Sequence, residues 1–327
     1  MAEIHAQVGD RVVTLSNLDK PLYPDGTTKA EVIGYYSEIA EAMLPHLAGR
    51  AITRVRYPNG TAENSFFEKN VPGGTPDWVT VCEVVASATR ISYPIADSPA
   101  TLVWLANLAA LELHTPQWRV EHQPAQPFVV DAATPADLLV VDLDPGRGVT
   151  MAEIAQAALL IAHELATAGL VPVARTSGGK GLQLQAAIRP TPAGEVLDHV
   201  RELATDLAAR HPDRFVVTQA KAVRPGRILI DWLQNQATRN TICSYSLRGR
   251  ERPTVATPLT WDEVGEAADG APLEFGPAEV LARVADHGDL AAELLAEERP
   301  VLGVHPDASP APAEPGRSQA PPEAAGG

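Results

Sequence analysis

The stretch LLVVDLDPG, Leu138 to Gly146, decides how this chain is read. Four apolar residues in a row, two of them β-branched, mark a central strand covered on both faces. The run ends in Asp142-Leu143-Asp144 and a Pro-Gly turn signal. Alternation along a strand puts Asp142 and Asp144 on one face, ~7 Å apart. Two carboxylates so placed repel each other unless a cation lies between them, and oxygen-only ligands suit Mg²⁺ or Mn²⁺. A plain strand-end turn accounts for the same residues, so D-x-D alone leaves both readings open.

Asp231 adds weight to the metal reading. It interrupts the apolar run RILIDWL, residues 227–233. An acid in so apolar a strand is costly unless it is paired with an arginine or bound to metal. Three carboxylates from two strands are the usual apparatus of two-metal phosphoryl chemistry. Between these acids, TSGGKG at 176–181 falls between the strand patterns Val171–Arg175 and Leu182–Ile188. Its glycines let a backbone approach phosphate, with Ser177 as donor and Lys180 as charge. The spacing is not that of a P-loop, and Gly-rich hairpin turns are common. Arg248 and Arg250, in SLRGR, read as phosphate clamps or as solvated surface.

The surrounding pattern alternates helix and strand. Thr28-Lys29-Ala30-Glu31 fits a capping box, followed by apolar residues at helical spacing to Leu47. Ala51–Tyr57 alternates as a strand, and Leu102–Leu113 reads as a buried helix ending before the His-Thr-Pro turn. Thr150 caps a long helix stopping at Gly169, and Thr191-Pro192 opens another with Pro at its first position. Phe215–Val217 reads as a strand, and Thr260 caps a short helix. The fold class expected is α+β: a mixed central sheet flanked by helices, preceded by an N-terminal α/β subdomain. The divisions expected are one unit over 1–300, with an N-terminal part to about 135 and a catalytic part over 136–300. A disordered Pro/Ala-rich tail is expected at 303–327.

Composition narrows the classes. The net charge of -15 argues against a broad grip on a polyanion, so any contact with nucleic acid has to run through local basic pockets. Lysine is scarce, at positions 20, 29, 69, 180 and 221 alone, which makes each of those positions a candidate for such a pocket. No apolar run reaches the ~18 residues of a membrane helix, and the N-terminus has no apolar core of a signal peptide. A cytoplasmic protein without a membrane partner is the expectation. Cys82 and Cys243 stand far apart with no C-x-x-C pair, so neither a structural zinc nor a disulfide framework is indicated.

Taken together, LSNLDKPLYPDGTTKAE (15–31), GRAITRVRYPNG (49–60), SFFEKN (65–70), LVWLANLAALELHTPQW (102–118), LVVDLDPG, TSGGKGL, GRILIDWLQN (226–235) and YSLRGRERPTVATPLTWDEV (245–264) resemble the polymerase domain of bacterial ATP-dependent DNA ligase D. That domain is a branch of the archaeal–eukaryotic primase superfamily. The matches keep the family's order over nearly the whole folded length. The resemblance implies a primase-type catalytic core that adds nucleotides, ribonucleotides preferred, to a DNA 3′-OH at gaps or breaks in non-homologous end joining. It implies two Mn²⁺ or Mg²⁺ ions, held by Asp142 and Asp144, with Asp231 on the one that activates the 3′-OH.

Carried over residue by residue, Ser177, Gly178, Lys180 and Arg248 hold the triphosphate of an NTP or dNTP, with Lys221 a weaker candidate. Asn17, Lys20 and Lys29 resemble the pocket for the 5′-phosphate of a gapped or broken DNA end, and Phe66 and Phe67 the aromatics that stack on template. A Ku-type end-binding protein and a separate ligase are implied as partners, and the ligase and nuclease segments of ligase D have no counterpart in these residues. The resemblance places the protein in the cytoplasm, at the nucleoid. One departure is Gln183, in GLQLQ, where the family carries a phosphate-contacting histidine. Glutamine donates but carries no charge, so a weakened, end-bridging paralogue stands as an alternative; among enzymes, a de novo primase is the other.

Overall fold

The protein is described by a computed structural model covering residues 3–120 and 127–303. Apart from Gly303, the expected tail at 303–327 lies outside the described residues. The first half runs β1 (Glu3–Val8), β2 (Arg11–Ser16), α1 (Lys29–Glu38), α2 (Ala40–Leu47), β3 (Thr53–Arg56), β4 (Phe66–Glu68), β5 (Val81–Ala86), β6 (Thr89–Pro94), α3 (Pro99–Asn107), β7 (Ala110–Thr115) and β8 (Phe128–Val130). The second half runs β9 (Pro135–Pro145), α4 (Met151–Thr167), β10 (Pro172–Thr176), β11 (Leu182–Pro192), α5 (Ala193–Arg210), β12 (Phe215–Val216), β13 (Ile228–Asp231), β14 (Thr241–Ile242), β15 (Leu247–Arg248), β16 (Thr254–Val255), α6 (Trp261–Ala268) and α7 (Pro277–His287). The class is mixed α and β, as expected.

The central sheet has the order β10-β11-β9-β13-β12. It is mixed, because β12 and β13 are parallel while the other pairs are antiparallel. Its side-chain alternation explains where chemistry can sit. Leu139, Val141 and Leu143 on β9 join Leu182 and Leu184, and Ile228 and Ile230, in one core with α4 and α5. The residues between them, Asp142, Gln183 and Asp231 among them, therefore face away from those helices. A second sheet, β14-β7-β3-β4, lies on that other side, and the chain closes a cleft between the two.

Three capping boxes form at the expected positions, Thr28, Thr150 and Thr260, each hydroxyl accepting from the backbone N–H three residues on. Four expectations need correction. The long first helix is two, α1 and α2, meeting at Ile39, with Pro45 inside the second, where it has no N–H to donate. Residues 102–113 are not one helix: α3 ends at Asn107, Ala109 takes φ +56°, and 110–115 form β7. A buried apolar run carries no period by which to tell helix from strand; here pairing of β7 with β3 and β14 settles it. Pro192 is the cap of α5 and the last residue of β11, not the first helical position. Asp231 ends its strand rather than interrupting it, and its carboxylate caps a 3₁₀ turn at Trp232–Asn235.

The core of the first half is completed by the second. Cys243, Tyr245, Leu247, Val255 and Val280 pack among the residues of α1, α2, α3 and β7. Tyr36 donates to the Leu111 carbonyl at 2.6 Å, and Tyr35 to that of Tyr245 at 2.7 Å. The segment bearing Arg248 is thereby held over the cleft from the far side.

Candidate active site

Antiparallel register brings the three acids together. Asp231 and Asp142 are direct cross-strand partners on β13 and β9, and Asp144 lies two residues along β9. One carboxylate oxygen from each lies within 4.8 Å of the other two. This all-oxygen set fits a hard divalent cation of the Mg²⁺ or Mn²⁺ kind. Burial, then the charges of Asp144 and Asp231, push the Asp142 carboxyl up to about 7, while the neighbouring Gln183 amide pulls the other way. Burial also raises Asp144, against Arg224, whose guanidinium stands 3.6 Å away. Asp231 is held by two amides: Gln219 Nε2 donates at 2.9 Å and Gln234 Nε2 at 3.1 Å.

Asp142 and Asp144 border a cleft of about 390 Å³ that Lys180, Arg224, Arg248 and Arg250 also line, while Asp231 meets the two acids at its edge. Ser177 and Lys180 reach it from the loop joining β10 to β11, and Gly181 lets that loop return beside β9. A Cβ on Gly181 would stand 2.5 Å from the Leu143 carbonyl oxygen. Gly178 has φ +64°, and a Cβ there would meet Arg248 Cγ at 2.5 Å. Gly178→Ala is therefore expected to cost roughly 1–2 kcal/mol from backbone strain alone. Thermal melting should show it as a drop of several degrees; an unchanged melting temperature would count against this loop geometry.

Several residues of this cleft carry no clear signal in the sequence. His114, part of a turn signal in the sequence, lines the cleft from β7, its Nε2 2.9 Å from Glu112 Oε2. Burial raises the Glu112 carboxyl, but the His114 hydrogen bond, Arg248 and the Gly249 N–H bring it down to about 2. Glu112 thus ties His114 and Arg248 to one anchor. Arg224, Gln234 and Asn240 also line the cleft, and Arg175 stands behind it. A His in a continuous strand two residues from an acid is the one signal that points to His114. Lys221 is exposed on the 3₁₀ turn at Lys221–Val223 and is not among the residues lining the cleft; Arg224 is.

The other candidates gather elsewhere on the surface. A bridge between Pro21 and Thr28 sets Lys20 beside Lys29. Asn17 adopts φ +55°, and the Lys20 N–H donates to its carbonyl. Lys29 is 5 % exposed and its Nζ donates to the Ser16 carbonyl at 2.7 Å, whereas Lys20 is exposed. Burial, then the charges of Lys20 and Arg56, lower the Lys29 ammonium to about 8. Phe66 and Phe67, 48 % and 61 % exposed, stand on edge strand β4, where neighbouring positions face opposite sides of the sheet.

Carboxylates that can gather cations, sharing one cleft with side chains that can gather phosphates, form the arrangement of phosphoryl- and nucleotidyl-transfer sites. The chain belongs to the LigD primase-polymerase domain family, whose profile matches residues 28–291. It is 42 % identical over 287 residues to the multifunctional non-homologous end joining protein LigD of Mycobacterium bovis and to its Mycobacterium tuberculosis counterpart. It is 32 % identical over 256 residues to the bifunctional non-homologous end joining protein LigD of Bacillus subtilis. The mycobacterial match takes in 87 % of this chain and 37 % of the relative, so the chain spans little more than a third of those proteins. The fold is similar to that of the polymerase domain from Mycobacterium tuberculosis ligase D in complex with DNA. The TM-score is 0.82 at 42 % identity, over 87 % of this chain and 98 % of that one. No helix among the described residues is long and apolar enough to cross a membrane.

Proposed function

We propose that this chain is a DNA-directed nucleotidyltransferase that adds ribo- or deoxynucleotides to DNA 3′ ends at gaps and breaks during end joining. The observation that carries this reading is the cluster of Asp142, Asp144 and Asp231, two of which line one cleft together with Ser177, Lys180 and Arg248, in a chain of the LigD family. The names of its relatives, and a solved relative in complex with DNA, support it.

In this reading Asp142 and Asp144 would hold two Mn²⁺ or Mg²⁺ ions, with Asp231 on the one that would activate the 3′-OH. Such ions neutralise phosphate charge and make a hydroxyl a better nucleophile. Arg248, fixed from behind by Glu112, and Lys180 bind the triphosphate, and the Ser177 hydroxyl and Gly178 backbone add uncharged contacts. Lys221 reaches the triphosphate only if its turn moves inward. Asn17, Lys20 and Lys29 hold a 5′-phosphate, and Phe66 and Phe67 offer stacking faces to template bases. Residues 1–300 act as one unit, with the part to about 135 binding DNA and 136–300 bearing the chemistry. A Ku-type protein and a ligase, cytoplasmic and at the nucleoid, are the partners this reading needs.

The test is extension of a 5′-phosphorylated gapped duplex with Mn²⁺ or Mg²⁺ and with NTPs or dNTPs, beside a template lacking any primer. Addition to the primer alone is expected. Product on the unprimed template would favour a primase. Tight gap binding with no addition under any metal would favour a bridging module.

A further inference from the structure

Gln183 occupies the position where the sequence departs from the family's histidine, and its surroundings give it a particular task. Four neighbouring strands contribute one residue each to a straight row. Arg175 on β10, Gln183 on β11, Asp142 on β9 and Asp231 on β13 are successive cross-strand partners. Arg175 is 2 % exposed and Gln183 5 %. Arg175 Nε and Nη2 both donate to Gln183 Oε1, at 3.1 and 2.6 Å. Arg175 is itself held by the Ser244 hydroxyl at 3.2 Å and by the Ile242 carbonyl, so the fork cannot turn away.

An amide has one accepting oxygen and one donating NH₂. With its oxygen fixed by two N–H groups of a buried cation, the NH₂ cannot face Arg175, because donors would then oppose donors. That leaves the NH₂ for the side of the row where Asp142 stands as the cross-strand partner on β9, and Gln183 holds the Asp142 carboxyl down against burial. A guanidinium–amide fork is a charge-assisted contact and fixes geometry as well as affinity.

We propose that Gln183, locked by Arg175, is a positioning residue that orients the Asp142 carboxylate toward the divalent cation and acts there, not on the nucleotide's phosphates. The proposal rests on the reading of Asp142 as a metal ligand. Partners that orient metal ligands in this way typically alter metal affinity or activity about 10–100-fold when removed.

The experiment compares wild type, Gln183→Met, Arg175→Met and the double variant in two assays. The first is Mn²⁺ titration followed by electron paramagnetic resonance, without nucleotide or DNA. The second is kcat and KM for NTP on a gapped primer. Gln183→Met is expected to weaken Mn²⁺ binding about tenfold. It should lower kcat at limiting Mn²⁺, recover at high Mn²⁺, and leave NTP KM nearly unchanged. Because Arg175 works through Gln183, adding Arg175→Met to Gln183→Met should weaken Mn²⁺ binding little further. If Gln183→Met does not fold, because Arg175 is left as a buried cation lacking its main acceptor, the double variant, which removes both, answers the same question. Unaltered Mn²⁺ binding overturns the proposal, whether or not NTP KM rises; a risen KM would return Gln183 to the phosphates. If wild type adds no nucleotide at all, the nucleotidyltransferase reading fails, while the Mn²⁺ titration still decides the role of Gln183.

Discussion

Asp142→Asn should abolish nucleotide addition and yet raise the melting temperature of the metal-free protein. On the proposed reading, the loss of activity follows from removing a carboxylate that would help hold the divalent ions. The gain in stability follows from the burial and like charges that raise the Asp142 carboxyl to about 7. A folded-state pKa above the unfolded value of about 3.9 means the native protein holds this proton more tightly than the unfolded chain does. Its contribution to stability is therefore lost as pH rises from about 4 to about 7, and stays lost above that. Glu112, brought down to about 2, acts in the opposite direction and at lower pH, its contribution being complete above about 4.5.

The difference between wild type and Asp142→Asn cancels such other groups. It should be small at pH 4 and grow to a few degrees by pH 8. Mn²⁺ should raise the wild-type melting temperature at pH 8 and leave the variant nearly unmoved. Asp231→Ala should also be inactive but should melt lower, because its carboxylate caps the Trp232–Asn235 turn and accepts from Gln219 and Gln234. Wild-type turnover in either variant, or a pH-independent melting difference for Asp142→Asn, would undo the assignment.

Removing the 5′-phosphate from a gapped duplex should weaken binding on the order of tenfold or more. A phosphate dianion beside two lysines makes charge-assisted hydrogen bonds worth roughly 1.5–3 kcal/mol each, against 1.4 kcal/mol per tenfold. The proposed pocket should carry its own pH dependence. The Lys29 ammonium is lowered to about 8, so free protein has lost about half of this charge by pH 8. Phosphate binding favours the charged form, so affinity for the phosphorylated end should fall as pH rises from 7 to 9. Affinity for the unphosphorylated end should change little. Lys20→Ala and Lys29→Ala should each remove most of the preference while leaving addition at saturating primer. With a net charge of -15, few phosphate contacts are available overall, so the salt dependence of binding should be shallow. Fluorescence anisotropy with the two duplexes checks the binding, primer extension checks the addition, and equal affinities would remove the 5′-phosphate role from Asn17, Lys20 and Lys29.

Local chemistry made much of the protein legible. Capping boxes at Thr28, Thr150 and Thr260 are contacts between residues three apart, so their formation needed no tertiary information. The β9 acids were legible for a similar reason: period-two alternation puts Asp142 and Asp144 on one face whatever the strand packs against. The family resemblance then extended those islands to nearly the whole chain, and the profile match over 28–291 bears it out.

What sequence patterns could not settle was decided by pairing between distant strands. Residues 110–113 carry on the apolar run of the helix with Glu112 as the one polar break; hydrogen bonds to β3 and β14 make 110–115 a strand, and that strand carries His114 to the cleft with Glu112 beside it. The row Arg175–Gln183–Asp142–Asp231 joins four strands through three registers. A shift of one residue in any of them would turn that residue to the helix side. Local sequence determined which residues could bind cations and phosphates, because those are properties of side chains and near neighbours. Tertiary structure decided which of them meet, and which glutamine stands behind which aspartate, because register is a property of the assembled sheet.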